Sequence, residues 1–67
     1  MRVIDFLKIF DGVLPVRYYP RNEDTFLWEG LLYDTPWWIA DLPLVNVDYR
    51  ENFKGEKPGL VVIVEEE

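Results

Sequence analysis

The chain has 67 residues, thirteen acidic against seven basic side chains for a net charge of −6, and no histidine, cysteine, serine or glutamine. That inventory excludes disulfides and the thiolate and imidazole ligands of ordinary zinc sites, and its only aliphatic hydroxyls, Thr25 and Thr35, have no histidine to activate them. An acidic chain is repelled by nucleic-acid backbones and anionic lipid, so neither DNA, RNA nor a membrane is an expected direct partner.

A single domain, residues 1–67 with an acidic tail at 65–67, is expected. Its folded surface should be about 4,500 Å² against about 11,600 Å² for the open chain, so roughly 60% is buried. So small a core needs support, and three Trp, four Tyr and four Phe supply it through aromatic packing. Association with a second copy is the other route, and a homo-oligomer is expected. No run approaches the ~18 apolar residues that span a bilayer. Met1 to Phe10 is apolar but carries Asp5 and Lys8 and lacks a small-residue cleavage site, so it is not a signal peptide. A cytoplasmic location is the expectation.

Val3, Phe6, Leu7 and Phe10 recur at the spacing of one helix face, and Asp11-Gly12 supplies a stop with Gly12 in the left-handed cap position. Leu14 to Tyr19 reads as a strand with Val16 and Tyr18 on one face and Arg17 and Tyr19 on the other, ended by Pro20. After the polar turn 21–24, Thr25 to Leu32 returns as a strand, placing Phe26, Trp28, Gly30 and Leu32 on one face and Leu27, Glu29 and Leu31 on the other.

Asp34-Thr35-Pro36 is a helix-start signal with Thr35 or Asp34 as the cap, and Pro43 confines the helix to about Pro36–Asp41. Val45, Val47 and Tyr49 alternate with Asn46, Asp48 and Arg50 in a third strand. A loop over 51–59 precedes a fourth strand, Leu60 to Val64, apolar on both faces. The order helix, strand, strand, short helix, strand, strand predicts an α+β two-layer domain with an antiparallel sheet.

Trp37-Trp38 is the most unusual local feature. Neighbours on a helix diverge by about 100°, so the two rings do not easily share one core. Either one ring plugs the core while the other lies along a strand or under the long loop, or the outer ring joins Tyr19 or Tyr33 in an exposed aromatic patch; Trp37 is the favoured outer ring. Trp and Tyr are enriched at binding hot spots, so Trp37, Trp38, Tyr19 and Tyr33 are the candidate protein-binding residues. Leu27, Leu31, Val61 and Ile63 fall opposite Trp28 and Val62, so helices confined to one face would leave an apolar face for a partner. Arg17 and Arg50, with Tyr18 and Tyr49, form an alternative site for an anionic metabolite or nucleotide held by a homodimer, against simple charge pairing with Glu29 or Asp48. A third reading, an acidic mimic of nucleic acid, is diluted by the interleaved basic residues.

Asp11, Asp34, Asp41 and Asp48 sit at turns and element ends, where capping is the ordinary role. No spaced calcium loop, phosphate-binding glycine loop or nucleophile elbow is present. A non-enzymatic protein with no catalytic residue, no metal and no cofactor is therefore expected.

The succession Val3-Ile4-Asp5-Phe6-Leu7, Leu14-Pro15-Val16-Arg17-Tyr18-Tyr19, Leu27-Trp28-Glu29-Gly30, Asp34-Thr35-Pro36, Val45-Asn46-Val47 and Leu60-Val61-Val62-Ile63-Val64 resembles short uncharacterised proteins of Gram-positive bacteria and their phages and prophages. The double Trp and the long third loop depart from the usual shorter form. The resemblance implies no activity; it implies a phage or mobile-element origin and, with it, binding to a host protein. The functional expectation is a small protein-binding module, a phage-derived inhibitor or adaptor, acting through exposed aromatic and apolar surface.

Overall fold

Val3 and Phe6 lie three positions apart, one helical turn, and both are buried in the first helix, α1 (Val3–Leu7). In the computed structural model, which describes residues 1–10 and 12–66, α1 is followed by β1 (Pro15–Pro20), β2 (Trp28–Leu31), a 3-10 turn (Leu32–Asp34), α2 (Trp37–Ala40), β3 (Leu44–Lys54) and β4 (Lys57–Val64). The chain is α+β, with the 3-10 turn as an element the expected order lacked. The Asp11 half of the expected helix stop and the last residue of the acidic tail lie outside the described residues. Among those described, no helix is long and apolar enough to cross a membrane.

The four described strands form one sheet in the order β2-β1-β4-β3. The expectation of an antiparallel sheet is corrected: β1 pairs parallel with β4, Val16 beside Leu60 and Pro20 beside Val64, between two antiparallel hairpins. The cause is the connection over residues 32–43. It carries the chain from the β2 edge to the β3 edge, and β2 and β3 therefore run the same way. A parallel crossover needs about a dozen residues, which this connection supplies.

Val16 and Tyr18 on β1, Leu60, Val62 and Val64 on β4, Val3 and Phe6 on α1, Leu32 and Ile39 form one buried cluster. The helices thus cover one face of the sheet. The surface of 4496 Å² agrees with that expected for the chain length.

Several local expectations are corrected. Helix α1 ends at Leu7, with Lys8 as its cap, and Phe10 is exposed although its ring lies 4.6 Å from that of Phe6. Gly12 is therefore not the cap of α1; a Cβ there would stand 2.8 Å from Tyr33 Cβ, so the close approach of Tyr33 is what asks for glycine. The second strand is only Trp28–Leu31. Residues before it bend, so Phe26 packs edge-on to Tyr19 across the sheet from Trp28, while Leu27 packs on the core. Pro36, not Thr35 or Asp34, is the cap residue of α2, and Thr35 Oγ1 instead donates to the Leu32 carbonyl at 2.7 Å.

The expected loop over 51–59 is mostly strand. β3 and β4 pair out to Lys54 and Lys57 around Gly55-Glu56, and Gly55 has φ 66°, the conformation a tight hairpin needs at its first central residue. Glu65, expected in a solvated tail, is tied down: its N–H donates to the Pro43 carbonyl at 3.1 Å and its carboxylate meets Arg21 at 3.4 Å.

Candidate functional site

Two surfaces carry the candidate residues, one on the helix side and one on the opposite face of the sheet. On the helix side, α1 and α2 are joined through their ends. Val3 N–H donates to the Leu42 carbonyl at 3.0 Å, Leu44 N–H to the Met1 carbonyl at 2.8 Å, and the Arg2 guanidinium to the Asp41 carbonyl. The N-terminus of α1 is held by Asp5, whose carboxylate accepts from Arg2 N–H at 3.1 Å.

Ile39 takes the inward position on α2 and is fully buried. Trp37 precedes it by two residues, about 200° around the helix, and so points away from the core. It is 82% exposed, against 42% for Trp38, and this decides which ring is outward. Beside Trp37 is a shallow cleft of about 320 Å³ bordered by Ile4, Ala40 and Asp41. Ile4 and Met1 on the neighbouring chain start are exposed, as is Tyr33 in the turn before α2.

Tyr19 does not belong to this surface. Alternation along β1 puts Tyr18 under the helices and Tyr19 on the far face. The four candidate protein-binding residues are therefore divided, with Trp37, Trp38 and Tyr33 available and Tyr19 packed against Phe26 behind the sheet.

That far face forms an open groove of about 740 Å³, bordered by Arg17, Tyr19, Arg50, Phe53, Val61 and Ile63 among others. Arg17 is its centre. Its guanidinium lies 5.4 Å from the Phe26 ring centroid and 4.7 Å from that of Phe53, and Nε donates to Glu29 at 2.5 Å. The hydrogen bond with Tyr19 and that with Glu29 raise the Arg17 pKa above its usual value. Glu29 also receives Lys54 Nζ at 2.7 Å, and the bonds from Lys54 and Arg17 hold its carboxyl below the usual range. Arg50 is paired with Asp48 at 2.6 Å.

The alternative ligand set is only partly assembled. Arg17 and Arg50 border the same groove; Tyr49 borders it at the sheet edge, but its register opposite Leu60 places it on the other face. Tyr18 is removed from it: the side chain is fully buried, with its hydroxyl 2.7 Å from Thr35 Oγ1. The two guanidiniums are each matched by a carboxylate, and Glu23, Asp24 and Glu51 also line the groove. An anion would have to displace those carboxylates. Among the described residues no group of His, Cys, Asp or Glu is arranged to hold a metal ion.

Sequence reasoning missed Phe53 and the double pairing of Glu29. Gly59 was the signal available: a Cβ there would collide with the Phe53 ring, so the glycine lets the aromatic fold over the sheet. No family model, curated protein or solved structure matches the chain.

Proposed function

We propose that this chain is a small non-enzymatic protein-binding module that docks Trp37, with Ile4 beside it and the exposed Trp38 and Tyr33 as further contacts, into a pocket on another protein. The observation that carries this reading is the 82% exposure of Trp37. An indole held in water forfeits about 25 cal/mol for every Å² of apolar surface left uncovered, and burial against a partner recovers it. The net charge of −6 favours a basic partner through long-range attraction. In the phage-like setting that the layout suggests, the module works in the cytoplasm as an inhibitor or adaptor of a host protein.

The anionic-ligand reading draws less support, because Arg17 and Arg50 already have carboxylate partners and Tyr18 is enclosed. The test is a quantitative pull-down from host lysate with the wild-type chain and a folded Trp37→Ala bait. A near-stoichiometric prey captured by the first and lost by the second supports the reading. Equal capture by both baits, or none by either, rejects it.

A further inference from the structure

The sheet has two edges of unequal kind. β2 offers four residues and runs directly into a 3-10 turn, whereas β3 offers eleven. The start of β3 is covered, because Leu44 N–H is taken by the Met1 carbonyl, and its end is closed by the turn at Gly55-Glu56. The free edge therefore runs over residues 45–53, and its midpoint is Tyr49. Pairing with β4 is regular over Asn46–Arg50 and irregular on either side, so the straight part of the edge includes that midpoint.

We propose that a second copy of this chain docks antiparallel on the β3 edge, with Tyr49 of one copy opposite Tyr49 of the other. Two copies related by a twofold axis across an antiparallel edge keep their faces, so each residue meets one of the same parity and the axis passes through a single position. Charge then selects among the positions. An axis at residue 48 sets Asp48 against Asp48, and one at residue 50 sets Arg50 against Arg50; both oppose like charges. The axis at Tyr49 sets Asp48 against Arg50 twice. Wider shifts shorten the free overlap by running one strand into Met1 or the hairpin turn.

The side chains suit this register. Asp48 and Arg50 share the groove face and already pair at 2.6 Å, so docking creates a cluster of four alternating charges. Tyr49, opposite Leu60, lies on the other face and is 56% exposed; it becomes covered. The seam is distinct from the Trp37 surface, so this proposal and the proposed function stand or fall separately.

The test is sedimentation equilibrium of the full chain over a range of concentrations. The wild type is expected to reach about twice its 8.0 kDa mass. Asp48→Lys and Arg50→Asp, each checked as folded by circular dichroism, should self-associate at least about tenfold more weakly, because each sets like charges opposite. Mixed in equal amounts they should recover the dimer, since each then presents the charges that the other needs. A monomeric wild type, or a dimer indifferent to both reversals, overturns the proposal. If either reversal unfolds the chain, Tyr49→Cys decides, as the sequence has no other cysteine. Mild oxidation should then link two copies through position 49 but not through Asn46→Cys, and the absence of that difference overturns the register.

Discussion

The Tyr18 hydroxyl lies 2.7 Å from Thr35 Oγ1, and Thr35 in turn lies 2.7 Å from the Leu32 carbonyl. The single Thr35 proton goes to Leu32, so Tyr18 is the donor to Thr35. This relay ties a central strand to the turn that leads into α2. Tyr18→Phe removes one link while leaving Thr35 satisfied, and should cost about 1 kcal/mol in urea unfolding at neutral pH.

The same residue predicts an alkaline limit. Burial raises the Tyr18 phenol pKa above its ordinary value, because the phenolate would lose its hydration. A group with a raised folded pKa contributes its full stability below the unfolded value of about 10, and loses it as pH rises through the folded one. The wild type should therefore lose stability across that interval more steeply than Tyr18→Phe. Parallel slopes for the two proteins in alkaline urea titrations would refute the assignment.

Glu29 predicts the acid limb. Its pKa is lowered by Lys54 and Arg17, so its contribution is present above the unfolded carboxyl value of about 4.3 and is lost as pH falls through the folded one. Glu29→Gln should flatten the melting temperature against pH below about 4.3 relative to the wild type. The check is a set of thermal melts from neutral to acid pH on both proteins.

Trp37 and Ile39 should respond in opposite ways to truncation. Ile39→Ala opens a cavity in the core and should cost about 2–5 kcal/mol. Trp37→Ala removes an exposed ring and should leave stability within about 0.5 kcal/mol. Denaturant midpoints measure both, and a large loss for Trp37→Ala would place its ring in the folded core and away from a partner.

Gly59 and Phe53 should be coupled. Gly59→Ala drives a methyl into the Phe53 ring and should cost about 1–3 kcal/mol. In a Phe53→Ala background the same change should cost much less, and a double-mutant cycle reads the difference. Additive costs would show that the ring does not require the glycine.

Much of the site's local grammar was legible in the residues. Alternation placed Val16 and Tyr18 opposite Arg17 and Tyr19, and the helical angle together with Ile39 favoured Trp37 as the outward indole. The alternation failed where chain geometry changed: Phe26 precedes β2 in a bend, and Phe53 follows the regular part of β3. Both aromatics reach Arg17 through backbone turns that a period of two does not describe.

The residues alone dictate the absence of thiol and imidazole chemistry, the acidic balance, the main strands and helices, and which side chains share a face along β1. Those properties follow from composition and from spacing within a few residues. The tertiary structure alone decided that β1 and β4 meet in parallel, that both helices lie on one face, and that Tyr19 is parted from Trp37. It also decided that Glu29 holds two cations at once. These depend on closing the 32–43 connection over the sheet, and contacts between residues far apart in the chain are set by how its faces bury one another.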